Sequence, residues 1–565
     1  MSTLCACSVV AWCWRPSRIE WTGDLHSLVR ALGDALRLSA ESVLCTYPVL
    51  AAAALTLGLS LVHVLWYPTW SWDCVWYHLA QTHFVIQERS LHYWVNTHND
   101  YVNGYPRLVE SFSAYSALVM RSDIFDDASQ WLWSTIGAVA IAAWSRRLRV
   151  ARSTAVALGA MWALVPAVFL QLHTTHADIA AASLLVATAY FLAEPYTSMR
   201  SVTMATVCIC MAMATKVTGI FYALLLLPAL GLVLLRWRFL TRVKSPAFSP
   251  VWLLALIAVS LAAGLAQPVH NLVAKGNPFF PARITVPFFH IVLSGTLDEA
   301  SISNGLSFFR TPGGFQRMLD HWYGPPAPNF PDIRGRPFGL AFPYVILPLS
   351  APALLFALWR RKGEIVLLCY AAAVALMVPA AWWGRYVLAV PAFALVLVGS
   401  MLPSLRSRLP WASHLVVGVM GATSIASAWA ARDGYRQFPD LHATREENVA
   451  RLRAEMNWML PPAVVRARDS ELGVGDVWAH DESVLFLGEY WNASVSSKVQ
   501  YISSRRDTAH YLAEVRVSGA RWVSVDANSA AHKALVRELG AELIAVTGID
   551  NVAVMRLPGT QRGTP

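Results

Sequence analysis

The sequence predicts an α-helical polytopic membrane protein with about 11 transmembrane helices and a small C-terminal α/β domain. Three observations carry that prediction. The 565-residue chain is 56% hydrophobic and only 14% charged, against about 45–50% and about 25% in soluble domains. Its apolar residues gather in runs long enough to cross a bilayer. Its basic residues sit in short bursts between those runs. A mean hydropathy of +0.43 excludes a disordered chain, a disulfide-stapled secreted module and an ordinary cytosolic enzyme.

A hydrocarbon core of about 30 Å takes roughly 20 apolar residues per helix. Single runs lie at 43–66, 128–144, 154–172, 179–193, 251–269, 341–359, 365–383, 386–405 and 411–430. The run 201–235 is too long for one crossing and divides into two, turning near Lys216-Val217-Thr218-Gly219. With the N-terminus inside, the inner loops hold Arg146, Arg147, Arg149, Arg152, Arg200, Arg236, Arg238, Arg242, Lys244, Arg360, Arg361, Lys362, Arg406 and Arg408. Only Glu194 and Glu364 oppose them. That surplus exceeds the +10 of the whole chain, so the positive-inside rule accounts for the basic balance and nucleic acid is excluded as a partner.

The expected organisation is a cytoplasmic segment 1–42, a transmembrane domain 43–430 with outer loops of about 67–127 and 270–340, and an extracytoplasmic domain 431–565. Met1–Trp14 lacks a basic n-region, so no cleaved signal is expected. Of eight cysteines only Cys74 faces outward, which argues against a structural disulfide. In the last domain, strand-like stretches 483–488, 498–502, 521–526, 542–546 and 552–557 alternate with helix-like 507–518 and 529–539. It carries no Gly-rich phosphate loop and reads as an accessory domain, for acceptor docking or equally as a purely structural cap.

Polar chemistry gathers at the outer edge. Trp72-Asp73-Cys74-Val75-Trp76-Tyr77-His78 opens the first outer loop. An Asp fenced by aromatics at a membrane surface suits a general base; as a helix N-cap it would be purely structural. Tyr105-Pro106-Arg107 leads into a short helix 108–120 bearing Glu110. His173-Thr174-Thr175-His176-Ala177-Asp178 forms the second outer turn. Lys216 and Arg385 are exceptional cations at outer span ends, with Tyr386 beside the second. Ionisable groups there are functional candidates, with snorkelling to the interface as the alternative.

Those motifs, taken in order with His270-Asn271, Gly276-Asn277-Pro278-Phe279-Phe280-Pro281 and Gly384-Arg385-Tyr386, resemble the GT-C glycosyltransferases. The likeness is to the branch of protein O-mannosyltransferases and lipid A aminoarabinose transferases, over about residues 44–405. It implies an enzyme moving a hexose or pentose from a polyprenyl-phosphate donor to a glycan, lipid or protein acceptor at the outer face of the plasma membrane. It implies Asp73 as base, Asp178 as a second acid orienting the acceptor, and Lys216, Arg385, Tyr386, Arg107 and His270 at the donor phosphate. His78, Tyr105 and Asn277 are the expected acceptor or sugar contacts. Relatives often carry Lys-Pro-Pro where this chain has Gly104-Tyr105-Pro106, and Arg-Asn where it has His270-Asn271.

No cofactor is required by a monophosphate-linked donor, because Lys and Arg can neutralise the leaving group. A divalent metal is the alternative suggested by His78, His83, His92 and His98 and by His173, His176 and Asp178. Two other functions fit many spans with polar outer loops. A lipid-linked glycan ligase or polymerase would use loop arginines such as Arg310, Arg317, Arg334 and Arg336. A lipid-linked sugar flippase would show midplane charges or an internal repeat, and the sequence displays neither clearly.

Overall fold

The structure, a computed structural model, describes residues 40–91, 93–193, 199–240, 250–286, 291–297, 314–324, 336–360, 363–377, 383–432, 439–505 and 507–558. Most of the predicted cytoplasmic segment lies outside these, as do Glu194, Arg242, Lys244, Arg310, Arg334, Arg361, Lys362 and His92. The chain forms two compact units. One takes residues up to Ser60, Gln130–Leu172 and Ala177–Arg436; the other takes Leu61–Ser129, His173–His176 and Gln437–Pro565.

Helices fall on every predicted run. In chain order they are α1 (Ala40–Trp66), α2 (Leu79–Glu88), α3 (Asp100–Gly104), α4 (Leu108–Met120), α5 (Ser129–Arg147), α6 (Arg152–Ala163), α7 (Pro166–Phe169), α8 (Asp178–Leu192), α9 (Met199–Thr215) and α10 (Val217–Leu240). They continue with α11 (Pro250–Lys275), α12 (Gly314–Tyr323), α13 (Leu347–Trp359), α14 (Gly363–Leu376), α15 (Ala389–Arg408) and α16 (Pro410–Ala431). Among the described residues five stretches, Cys45–Trp66, Leu254–Lys275, Phe342–Trp359, Ala389–Arg408 and Pro410–Ala431, are long and apolar enough to cross a membrane. Shorter apolar helices such as α8 and α14 pack among them within the first unit.

Small residues let these helices approach closely, as membrane helices require. A Cβ on Gly264 of α11 would fall 2.7 Å from the Cys210 carbonyl of α9. The predicted turn at Lys216 is real: it separates α9 from α10. Gly219 is what permits it, because a Cβ there would lie 1.9 Å from the Ala212 carbonyl oxygen. The first unit also holds a small antiparallel pair, β1 (Ile284–Val286) and β2 (Ile291–Leu293).

In the second unit, α17 (Arg445–Glu455) starts on a Thr444/Glu447 capping box, and α18 (Pro462–Glu471) follows. A five-stranded sheet comes next, built from β3 (Val477–His480), β4 (Lys498–Tyr501), β5 (Ala520–Asp526), β6 (Glu542–Val546) and β7 (Val552–Arg556). Its order is β4-β3-β5-β7-β6. The β3–β4 and β3–β5 pairs are parallel, and the β5–β7 and β6–β7 pairs antiparallel. Helices α19 (Thr508–Ser518) and α20 (Ala530–Leu539) begin on Asp507 and Ser529 caps and end at left-handed Gly519 and Gly540.

The strand predicted at 483–488 is not one. The strand is β3, and Val484, Phe486 and Leu487 instead enter a short 3-10 turn that fills the core. An apolar run of that length cannot by itself distinguish a strand from a buried turn. One face of the sheet packs on α19 and α20 through Tyr511, Leu512 and Leu535. The other face shares a core with the first outer loop, where Tyr77, Phe84, Trp94 and Val102 meet Trp478, Trp491 and Trp522. The α/β domain and that loop therefore form one folded body.

Candidate active site

In the first unit the site is built where apolar helices end. Asp178 opens α8, where a carboxylate suits the positive end of the helix dipole. Lys216, at the break before α10, donates from Nζ to Asp178 Oδ1. The same Nζ lies 4.2 Å from the centre of the Tyr386 ring. Tyr386 and Arg385 come from a short 3-10 turn, Gly384–Val387, just before α15. The Arg385 guanidinium stands 4.3 Å from the Trp383 ring centre, and its Nη2 donates to the Tyr386 hydroxyl at 3.2 Å. Tyr222 of α10 donates to the Tyr386 carbonyl at 3.2 Å and fixes the turn. Two cations against one carboxylate leave a net +1, with a phenol and an indole beside them. That set can hold a phosphate monoanion or dianion.

His270 lies half-buried on α11. Asn277 is fully buried: its Nδ2 donates to the carbonyls of Ala282 (2.6 Å) and Ser294 (2.8 Å), and its Oδ1 accepts from the Phe279 amide. That side chain shapes the loop after α11.

In the second unit Asp73 sits in helical backbone (φ −61°, ψ −33°) and makes no capping hydrogen bond. The alternative of a helix cap is thereby removed. It immediately precedes a π-helical turn, Cys74–His78, in which Leu79 N–H bonds back to the Cys74 carbonyl. Such turns recur at functional sites. His78 Nδ1 bonds Glu110 Oε1 of α4, and both side chains are buried. The His78 ring also meets the His176 ring at 5.9 Å, and His176 Nε2 bonds Ser71 Oγ at 3.0 Å. Tyr105 stands edge-on to Tyr77 at 5.1 Å.

Arg107 serves the scaffold of this unit. Its guanidinium donates to the carbonyls of Leu91, Val102 and Asn103 and stacks 3.8 Å from the Trp94 ring centre. Those bonds take up the cation in holding 90–105 together. Two buried acids escaped the sequence reading. Burial drives Asp126 well above the carboxylate range, and raises Asp127 to about 8. Buried His83, 3.6 Å from Asp126, is pushed down to about 3 by burial. Asp126-Asp127 reads as a surface pair, so nothing local signals their burial. Glu110 was visible as an acid, but its partner 32 residues away was not.

No family model matches the chain, and no curated protein matches it in sequence. Among solved structures it is similar to ArnT from Cupriavidus metallidurans bound to undecaprenyl phosphate. The TM-score is 0.54 at 13% identity, covering 92% of this chain and 99% of that one. The apo state of the same protein gives 0.50 at 12% identity, covering 90% and 97%. A more distant likeness, TM-score 0.41 at 12% identity, is to the Archaeoglobus fulgidus oligosaccharyltransferase AglB in complex with an inhibitory peptide and a dolichol-phosphate, covering 85% and 69%. The chain has the polytopic GT-C fold, as its motif order implies.

Proposed function

We propose that this GT-C-fold chain is a membrane glycosyltransferase that moves a sugar from a polyprenyl-phosphate donor to an acceptor hydroxyl at the outer face of the membrane. The observation that carries the reading is the cluster of Lys216, Tyr386 and Arg385 at the ends of apolar helices. It is supported by a fold shared almost end to end with a structure that holds undecaprenyl phosphate.

Lys216 and Arg385 neutralise the donor phosphate, with the Tyr386 hydroxyl as a further donor. Asp178 holds Lys216 in place through their ion pair, a role that replaces the expected one of orienting the acceptor. Asp73 orients the acceptor hydroxyl and favours its deprotonation. The hydroxyl oxygen attacks the anomeric carbon, the bond to the phosphate oxygen breaks, and the lipid phosphate leaves with that electron pair. A single displacement inverts the configuration. Phosphate leaves without a general acid, so preorganised cations supply most of the stabilisation. The positive-inside charge pattern supports a cytoplasmic N-terminus and an external α/β domain.

Sugar transfer in proteoliposomes tests this, with labelled polyprenyl-phosphate sugars and a crude envelope extract as acceptor. Asp73→Asn and Lys216→Ala, folded and at matched expression, are expected to lose transfer. An Asp73→Asn protein as active as wild type contradicts the assignment.

A further inference from the structure

We propose that His78, fixed by Glu110, is the group that receives the proton of the acceptor hydroxyl, while Asp73 orients that hydroxyl. The inference rests on the transferase reading and divides its acceptor chemistry between two side chains. Glu110 is a positioning residue and His78 a catalytic one.

The argument begins with the backbone. A π-helical turn closes its hydrogen bonds at i→i+5, so residues five apart stack over one another, as residues about four apart do in an α-helix. The Cys74–His78 turn therefore sets His78 on the same face as Asp73, five residues earlier. An ordinary α-helical turn would turn them to different faces. The π turn thus aligns an orienting carboxylate with an imidazole.

The second observation is how the ring is held. Glu110 contributes a completely enclosed side chain, 0% exposed, to His78 Nδ1, while the His78 side chain keeps 7% exposure. The Arg107 guanidinium and the Glu110 side chain interact electrostatically. A carboxylate on Nδ1 places the ring proton there and leaves the Nε2 lone pair outward. Among the described residues Nε2 has no hydrogen-bond partner. The other groups facing the ring are Tyr77 on its own turn, at 4.3 Å, and His176 from the 173–176 segment, at 5.9 Å. Neither is an anion that would compete for the ring.

The third is chemical. A buried polar pair is weak evidence of stabilisation, because apolar residues of like volume serve a core as well or better. An imidazole backed by a carboxylate is, by contrast, a standard proton acceptor near neutral pH, better matched to that task than a carboxylate of ordinary acidity. In the step, the hydroxyl oxygen bonds to the anomeric carbon, its proton moves to His78 Nε2, and the sugar–oxygen bond pair leaves with the lipid phosphate. The imidazolium faces the Glu110 carboxylate until the proton passes to water.

Two readouts on the full chain in nanodiscs test this. The first needs no turnover: 15N NMR of histidine-labelled protein, with His78 assigned by its loss in His78→Gln. The expected neutral form carries its proton on Nδ1; a ring protonated on Nε2 overturns the inference, whatever the transfer activity. The second is the pH profile of transfer from labelled undecaprenyl-phosphate sugars. His78→Gln is expected to lose about 10²-fold in kcat together with the acid limb of the profile. Glu110→Gln should move that limb to lower pH, and Glu110→Asp should largely restore it. A His78→Gln enzyme that keeps the wild-type limb and rate overturns the proposal. If wild type with an Nδ1-protonated ring consumes none of these donors, the transferase reading fails, and the proton role fails with it.

Discussion

Replacing Asp178 by Asn should tighten phosphate binding, although Asp178 was expected to assist the acceptor. The argument is one of charge and exposure. Asp178 is paired with Lys216, and with Arg385 the cluster carries a net +1. Asp178→Asn raises this to +2 and frees Lys216 Nζ for a phosphate oxygen. A charge-assisted hydrogen bond contributes about 1.5–3 kcal/mol. Allowing for the hydration Lys216 gives up, the expected gain is about 1.4 kcal/mol, or tenfold in Kd. The fold should tolerate the change, because Lys216 is 22% exposed and can turn to water. Lys216→Met is different: it removes the cation from a carboxylate that is only 2% exposed, at a cost of about 3–5 kcal/mol. The double variant Lys216→Met/Asp178→Asn should recover most of that stability and still bind phosphate poorly. Titration of undecaprenyl phosphate into nanodiscs, followed by tryptophan fluorescence beside thermal melts, separates the two effects. Wild-type affinity in the folded double variant would refute the phosphate role of Lys216, and weaker binding in Asp178→Asn would refute the charge argument.

Arg107→Lys should destabilise the second unit by about 3 kcal/mol, because an ammonium cannot replace a fork bonded to three carbonyls and stacked on Trp94; chemical denaturation monitored at that tryptophan checks it. Asp127 is held neutral in the fold up to about pH 8, whereas the unfolded chain ionises it near about 3.9. The unfolded state binds fewer protons across that window, so stability should fall as pH rises from about 4 to about 8. Asp127→Asn should flatten that slope in melts at pH 5, 6.5 and 8, with buried Asp126 leaving a residual slope of the same sign. A chain ending at residue 436 should lose the fold of its first outer loop, since Tyr77, Phe84 and Trp94 share their core with Trp478 and Trp491. Limited proteolysis within 67–127 would report it.

Helices were legible wherever a bilayer or a helix end imposes one requirement on many residues. Each predicted span carries helix, and the Lys216 turn was visible because the run 201–235 is too long for one crossing and just long enough for two short ones. Asp178, Lys216, Arg385 and Tyr386 stood out because charge is rare at such positions, and the fold gathers all four. What escaped depends on partners distant in sequence. Arg107 resembles a free cation until its carbonyl acceptors are seen, and Glu110 resembles a surface acid until His78 closes on it. The 483–488 run looked like a strand because its apolar residues are buried, but their burial is in a turn. The α/β domain read as separable, since nothing in its own pattern reveals that one sheet face is covered by a loop some 400 residues earlier, as the 404-residue separation of Trp491 and Gln87 illustrates.

The fate of the labelled sugar tests the central claim most directly. Wild-type protein in proteoliposomes would receive undecaprenyl-phosphate sugar labelled in the sugar, together with envelope extract. Both the position of the label and the leaflet of the lipid would be followed. The account predicts that label passes to an acceptor while free undecaprenyl phosphate accumulates in proportion. Labelled lipid that changes leaflet with its sugar–phosphate bond intact would contradict it and identify a transporter.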